Sequence, residues 1–222
     1  MNPHIKASKI IYSLIADKIL EKENMYIISL AGESGSGKTE TGNALVKEFA
    51  DNEISALLLE QDHYFYLPPI ANDTMRKKDP TWLGPHKEVN IELLNKNLND
   101  AINGANSIVI PHIDYDSNKE TSKIIGIDGV KVIIVEGTYT MLLKSVDTKI
   151  FIDEDYTETL KYRKLRNRGN EVNDPFVEGI LETEHKIIAG HKYLADIIIT
   201  KDYEVIPVAE SLQTIDYNVS KE

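Results

Sequence analysis

Apolar residues recur along the chain with two spacings, which predict alternating helices and strands. Near the start, Ile5, Ile11, Tyr12, Ile15 and Ile19 recur at helical spacing and predict an amphipathic helix within residues 1–24. Apolar runs that predict buried strands are MYIISLA, ISALLLE, SIVI, VKVIIV, TKIFID and ADIII. Helical patterns are TETGNALVKEFA, IELLNKNLNDAI, DYTETLKYRKLR and PFVEGILETEHKI. This alternation predicts an α/β fold, in which helices cover both faces of a parallel sheet.

Two connecting segments depart from this alternation. Asp128-Gly129 predicts a tight turn into the strand VKVIIV. Residues 67–90 carry four prolines and no apolar periodicity, so the sequence predicts a long irregular loop there. Loops of that length are often functional.

Composition narrows the class of protein. A chain of 222 residues suits one α/β domain, and we expect residues 1–222 to form a single domain. The formal net charge of -11 disfavours general binding to nucleic acid or to an anionic membrane. The absence of cysteine excludes disulfides, and no apolar block reaches the length of a signal peptide or a membrane span, so we expect a cytoplasmic protein. The apolar stripe of the first helix leaves a homo-oligomer possible.

The eight residues after the first buried strand read GESGSGKT and match the phosphate-binding pattern G-x-x-x-x-G-K-[ST] in full. Glycines let successive N–H groups turn inward, and the following helix adds its positive end. Lys38 is expected to reach the β- and γ-phosphates of ATP, and the Thr39 hydroxyl to bind Mg²⁺. The alternative is a chance match, which the flanking strand and helix disfavour. The predicted nucleotide-binding residues are Gly32, Glu33, Ser34, Gly35, Ser36, Gly37, Lys38 and Thr39.

Two carboxylates follow other predicted strands. Asp62, in QDHYFY, is predicted to take a proton from a substrate hydroxyl or to help hold the metal, with Tyr64 and Tyr66 as substrate contacts. The alternative is that Asp62 caps a turn and the aromatic rings pack the loop. Glu136, in VIIVEG, is predicted to hold Mg²⁺ directly or through water, although a carboxylate there also suits a helix start.

Five cations lie within the eight residues 161–168 of this acidic chain. Arg163 and Arg166 are three residues apart and share one helical face, and arginine can bind two phosphate oxygens at once. The alternative is that these cations only complement the C-terminal end of a helix.

The order of these motifs resembles that of the uridine kinase and phosphoribulokinase-like family of P-loop kinases. The motifs are GESGSGKT, QDHYFY, IPHIDYDSNK, VIIVEGTY, KIFIDEDYTETLKYRKLRNRG and HKYLADIIIT, within residues 25–202. The resemblance implies the P-loop nucleoside triphosphate hydrolase fold, ATP as donor, Mg²⁺, and Asp62 as the base for a sugar hydroxyl. It also implies a lid over the phosphates carrying Arg163, Arg166 and Arg168. A hairpin near residues 113–127, with Asp114 and Tyr115, would enclose the acceptor.

Departures from the family pattern fall on the acceptor side. Trp82-Leu83-Gly84-Pro85 lacks the aspartate that holds the ribose in uridine kinases, and Ile113 and Asn118 replace a tyrosine and a histidine near the uracil. Asn170 replaces the second lid arginine of the family. Trp82 either stacks on a ring or packs the loop.

We therefore expect an ATP-dependent kinase for a small hydroxyl-bearing acceptor, a nucleoside or a related ribosyl compound. The alternative is a nucleotide-dependent switch or a pseudokinase regulator. A switch GTPase is expected to carry N-K-x-D, and Asn95-Lys96-Asn97-Leu98 lacks the aspartate.

Overall fold

Five helices and eight strands organise the part of the chain that the structure describes, which comprises residues 2–114, 117–161, 163 and 174–208 of a computed structural model. The helices are Pro3–Glu21 (α1), Lys38–Asp51 (α2), Pro69–Lys78 (α3), Ile91–Ile102 (α4) and Pro175–Ala189 (α5). The strands are Tyr26–Gly32 (β1), Ala56–Glu60 (β2), Ser107–Asp114 (β3), Lys119–Gly126 (β4), Val132–Gly137 (β5), Thr148–Asp153 (β6), Ile197–Thr200 (β7) and Val205–Pro207 (β8). None of the helices in these ranges is long and apolar enough to cross a membrane.

Six strands form the main sheet in the order β2-β5-β1-β6-β7-β8. All neighbouring pairs are parallel except β7 with β8, which are antiparallel. β1 lies at the centre, and its register sets Leu30 opposite Glu136 of β5. The carboxyl ends of β1, β2 and β5 therefore meet at one edge of the sheet, where open α/β sheets bind their ligands.

Two apolar clusters cover the two faces of the sheet. One contains Tyr26, Ile28 and Leu30 of β1 with the apolar sides of α1 and α2. The other contains Ile27 and Ala31 with the apolar side of α4 and with Ile188 of α5. Alternate residues of β1 thus enter opposite clusters, which explains why its sequence is apolar throughout. The predicted α/β fold with helices on both faces is confirmed.

The segment of residues 67–90 is not the irregular loop that its prolines suggested. Pro69 begins α3 at a position where its missing N–H costs nothing, and a 3₁₀ turn follows at Pro80–Trp82. The helix buries Asn72 rather than an apolar stripe. Because its inward side is polar, α3 leaves no apolar periodicity in the sequence.

A two-stranded antiparallel sheet, β3 and β4, stands apart from the main sheet. Its register runs from Ser107 opposite Gly126 to Asp114 opposite Lys119. The run SIVI is thus the first part of this hairpin and not a strand of the main sheet. The turn at Asp128-Gly129 is as predicted, with Gly129 at a φ of 71°.

The packing of α1 yields a prediction about domain organisation. Ile15 is 1% exposed among the residues of β1, α2 and β6, so Ile15→Ala is expected to lower the free energy of unfolding by about 2–4 kcal/mol. Leu20 on the same helix is 66% exposed, and Leu20→Ala is expected to change it by less than about 0.5 kcal/mol. Chemical denaturation measures both. Equal, small effects would mean that α1 is not part of the cooperative unit.

Candidate active site

The loop between β1 and α2 has the backbone that the glycine pattern predicts. Gly35 and Gly37 lie at φ values of 85° and 82°, a region that favours glycine. The Ser36 N–H donates to the Glu33 carbonyl at 3.1 Å and closes the loop. Gly37 is the N-cap of α2, so the loop ends at the positive end of a 14-residue helix. Such an arrangement attracts phosphate.

Lys38 lies within this loop and is 9% exposed. Its ammonium donates to the Glu33 carbonyl at 3.0 Å. The cation is therefore held at the loop and away from bulk water, where its attraction for a phosphate is stronger than at an open surface.

Thr39 and Glu136 meet at the edge of the sheet. The Thr39 hydroxyl donates to Glu136 Oε1 at 2.7 Å, and Glu136 is 6% exposed at the end of β5. Burial raises the pKa of Glu136 to about 7, while the nearby Lys38 charge opposes the rise. A hydroxyl and a carboxylate side by side are oxygen donors that suit Mg²⁺, so this pair fits the predicted metal.

Asp62 lies just beyond β2, in the 3₁₀ turn Gln61–Tyr64. Glu60 of β2 is opposite Glu136 in the parallel register, and Asp62 follows two residues later. The charge of Asp62 is one of the causes that raise the pKa of Glu136, after burial. Asp62 therefore joins Lys38, Thr39 and Glu136 at one edge.

Tyr64, predicted as a substrate contact, lies in the core. It is 1% exposed, and its hydroxyl accepts from Asn97 Nδ2 at 2.9 Å. Burial raises its pKa to about 12. The prediction for Tyr64 is thus wrong because the 3₁₀ turn directs this ring inward. Tyr66, in contrast, is 45% exposed, and its role as a substrate contact stays a prediction.

Asp114 closes the hairpin turn at the end of β3. Its carboxylate accepts from the Ser117 N–H at 3.2 Å and from the Ser117 hydroxyl at 2.7 Å. These contacts explain Asp114 as a turn residue, and its role in acceptor binding stays a prediction. Tyr115 lies outside the described residues.

Arg163 packs against the phosphate loop. It is 2% exposed, and its Nη2 donates to the Tyr156 carbonyl at 3.0 Å. A side chain added at Gly35 would approach Arg163 Cγ to 2.9 Å, so glycine makes this contact possible. Within the described ranges, Arg163 Nε and Nη1 have no hydrogen-bond partner. Nη1 lies 3.9 Å from Glu178 Oε1, a distance that allows charge attraction but no hydrogen bond. A buried guanidinium with free hydrogen-bonding capacity beside this loop suits an anion. Arg166 and Arg168 lie outside the described residues.

An ion pair that sequence reasoning missed links α5 to the loop. Glu33 Oε1 lies 2.5 Å from His185 Nδ1, and His185 Nε2 lies 3.8 Å from Asp155. Burial raises the pKa of Glu33, and the bond to Glu33 raises that of His185. Glu33 and His185 also line a cleft of about 550 Å³ that reaches the carboxyl ends of β6 and β7. The partners are 152 residues apart, so no local pattern could reveal them.

A hydrogen-bond network around the buried Glu88 also escaped prediction from the sequence. The Glu88 carboxylate is fully buried and accepts from Arg76 Nε at 2.8 Å, Asn72 Nδ2 at 3.2 Å and the Gly84 N–H at 3.0 Å. Trp82 Nε1 donates to Asn72 Oδ1 at 2.7 Å, so Trp82 stabilises this network. The residues of this network belong to α3 and to the segment that follows it. The buried Tyr139 joins them, since its hydroxyl donates to Glu88 at 3.4 Å.

The chain is similar in sequence and in fold to several known kinases. A family model described as the phosphoribulokinase/uridine kinase family matches residues 27–183. A bifunctional alpha-galactosidase/sucrose kinase from Mediterraneibacter gnavus is 28% identical over 194 residues, which are 82% of this chain and 21% of that protein. A uridine kinase from Macrococcus caseolyticus is 32% identical over 183 residues, which are 78% of this chain and 86% of that enzyme. A solved structure described as a possible uridine kinase from Bacillus stearothermophilus has the same fold, with a TM-score of 0.57, 17% identity and coverage of 84% and 95%.

The burial of Glu136 predicts a pH dependence of stability. Because its pKa rises from 4.5 to about 7, the folded protein holds a proton that the unfolded chain releases across this window. The stabilising contribution is therefore full below about pH 4.5 and is lost as the pH rises through about 7. Between pH 5 and 8, without nucleotide, the wild type is expected to lose roughly 2–3 kcal/mol more unfolding free energy than Glu136→Gln. The unfolding free energy of both proteins is measured by chemical denaturation at each pH. An equal change between pH 5 and 8 in the two proteins would contradict the assigned burial of Glu136.

Proposed function

The chain belongs to the phosphoribulokinase/uridine kinase family, and we propose that it transfers the γ-phosphate of ATP to a hydroxyl of a small sugar-bearing acceptor, such as a nucleoside. Family membership makes it an ATP-dependent kinase that phosphorylates a hydroxyl, and P-loop kinases typically use Mg²⁺. The proposal adds the acceptor class and the residues that act.

The observation that best supports this proposal is the contact of Thr39 with Glu136, beside Lys38 and near Asp62. These four side chains come from three different segments and meet at the carboxyl edge of the sheet. A binding protein that only recognises a nucleotide has no use for Asp62 at this edge, whereas phosphoryl transfer needs a group there to orient the attacking hydroxyl.

Each residue has a defined task in this account. The loop N–H groups and Lys38 bind the phosphates, and Thr39 and Glu136 would hold Mg²⁺. When bound, the metal neutralises charge on the phosphate oxygens. The acceptor oxygen forms a bond to the γ-phosphorus as the bond to the bridging oxygen breaks, so that ADP leaves. Asp62 accepts the hydroxyl proton, and Arg163 donates to the phosphate oxygens.

The cleft lined by Glu33 and His185 offers space for the rest of the nucleotide. It adjoins the phosphate loop and extends along the ends of β6 and β7. Its volume of about 550 Å³ lies within the range of ordinary small-molecule sites. We assign this side of the site to the nucleoside part of ATP.

Two acceptor chemistries have support among the relatives. Several relatives are named uridine kinases, which favours a nucleoside. The name of the relative from M. gnavus specifies a sucrose kinase, which favours a free sugar, although this chain spans only about a fifth of that protein. Both acceptors present sugar hydroxyls.

The test is acceptor-dependent release of ADP from Mg²⁺-ATP, measured with a panel of nucleosides and sugars. Lys38→Ala and Asp62→Asn are each expected to lower kcat by a factor of about 10² to 10⁴ because they remove phosphate binding and proton acceptance. Lys47→Ala, on an exposed part of the same helix as Lys38, is the matched control and is expected to retain wild-type turnover.

Wild-type turnover in Asp62→Asn would remove the base assignment. Tight ATP binding without stimulation by any acceptor would contradict the proposed function.

A further inference from the structure

Arg76 is a single cation placed among three carboxylates. Its Nε lies 2.8 Å from Glu88, its Nη2 lies 3.3 Å from Glu184 of α5, and its Nη1 lies 3.8 Å from Asp73. The side chains of Arg76 and Glu184 are 13% and 12% exposed, whereas that of Glu88 is fully buried. Glu88 therefore holds Arg76 from the protein interior. Arg76 and Glu184 keep limited access to solvent.

This group borders a small pocket. The pocket has a volume of about 130 Å³, and Phe65, Leu67, Asn72, Asp73, Arg76 and Ile113 are among its lining residues. The lining thus combines apolar side chains with amide, carboxylate and guanidinium groups. A mixed lining of this kind suits a compact part of a ligand that has both C–H and O–H surface.

Glu184 reaches this pocket through its 3.3 Å contact with Arg76, which is one of the lining residues. The charges of Arg76 and Lys38 lower its pKa and those of Glu88 and Asp62 raise it, although burial dominates and brings the pKa to about 7. Two contacts place this group near the transfer centre. His185, the residue after Glu184, pairs with Glu33 of the phosphate loop, and Phe65, which lines the pocket, follows Asp62 by three residues.

We propose that Arg76 and Glu184 bind adjacent hydroxyls of an uncharged sugar, either free or as part of a nucleoside, and so determine acceptor specificity. This inference rests on the proposed function. A carboxylate accepts from one hydroxyl and a guanidinium donates to its neighbour, and hydrogen bonds to charged groups are stronger than those between neutral groups.

The charge of the group selects against anionic acceptors. One guanidinium faces three carboxylates, so the local charge is negative when all are ionised. A phosphorylated sugar would meet Asp73 and Glu184 as like charges.

The test compares acceptors with and without one hydroxyl in the wild type and in Glu184→Gln. The probes are uridine with 2′-deoxyuridine, sucrose with a deoxysucrose, and ribulose 5-phosphate as the anionic acceptor. In the wild type, removing the hydroxyl is expected to lower kcat/KM about 10- to 100-fold. Glu184→Gln is expected to raise the acceptor KM at least about 10-fold, to leave the ATP KM unchanged and to shrink the discrimination to about threefold or less.

Glu184→Gln is preferred to a change at Arg76 because loss of Arg76 leaves Glu88 buried without its cation, which is expected to disturb folding. Glu182→Gln on the same helix is the matched control, since Glu182 is exposed and pairs with Lys186 one turn further along that helix. Its acceptor KM and thermal midpoint are expected to equal those of the wild type.

Three outcomes distinguish the assignment of Arg76 and Glu184 to acceptor binding from the proposed kinase function. Discrimination lost in Glu184→Gln, with a wild-type thermal midpoint, supports the assignment, and the active acceptor tells whether the sugar is free or part of a nucleoside. Full discrimination in Glu184→Gln, or preference for ribulose 5-phosphate, overturns the assignment and leaves the kinase proposal intact. Failure of every acceptor with the wild type overturns the proposed function and this inference together.

Discussion

The parallel pairing of β1 with β5 is the constraint on which the whole site depends. Its register places Leu30 opposite Glu136, so the phosphate loop leaves β1 beside the Glu136 carboxylate. The Thr39 hydroxyl, at the start of α2, then lies 2.7 Å from that carboxylate. β2 continues the same register on the far side of β5, which brings Asp62 to the same edge. A change in either register would separate the residues that we assign to the metal and to proton transfer.

The site holds three carboxylates in buried positions, where loss of hydration disfavours their charged form. Glu33, Glu136 and Glu184 all have raised pKa values, each with burial as the first cause. Pairing with His185, Lys38 and Arg76 respectively offsets part of this cost. Strongly shifted pKa values are frequent at functional sites, and here they occur on both sides of the phosphate loop. Among the residues that the structure describes, the buried cations Lys38 and Arg163 both lie at the phosphate loop.

The sequence predicted the strands and the helix around the phosphate loop, whereas the buried network beside α3 escaped prediction. The loop, its flanking strand and helix, and Glu136 are local patterns, and a strand apolar on both faces is recognisable from its run of residues alone. The network of Arg76, Glu88 and Glu184 escaped prediction because its members lie up to 108 residues apart and share no spacing. The burial of Tyr64 escaped prediction because the 3₁₀ turn places it on the same inward face as Gln61, three residues earlier. Prolines in residues 67–90 suggested a loop, whereas one of them begins α3.

The central claim is that Thr39 and Glu136 hold the metal of a bound nucleotide at the end of β5. The most direct measurement is a crystal structure with Mn²⁺ in place of Mg²⁺ and a non-hydrolysable ATP analogue, in which anomalous scattering locates the metal. We predict a single strong peak bonded to the Thr39 hydroxyl, joined to Glu136 directly or through one water, with the β- and γ-phosphates against Lys38. A metal and phosphates bound away from Thr39, Lys38 and Glu136 would contradict the account.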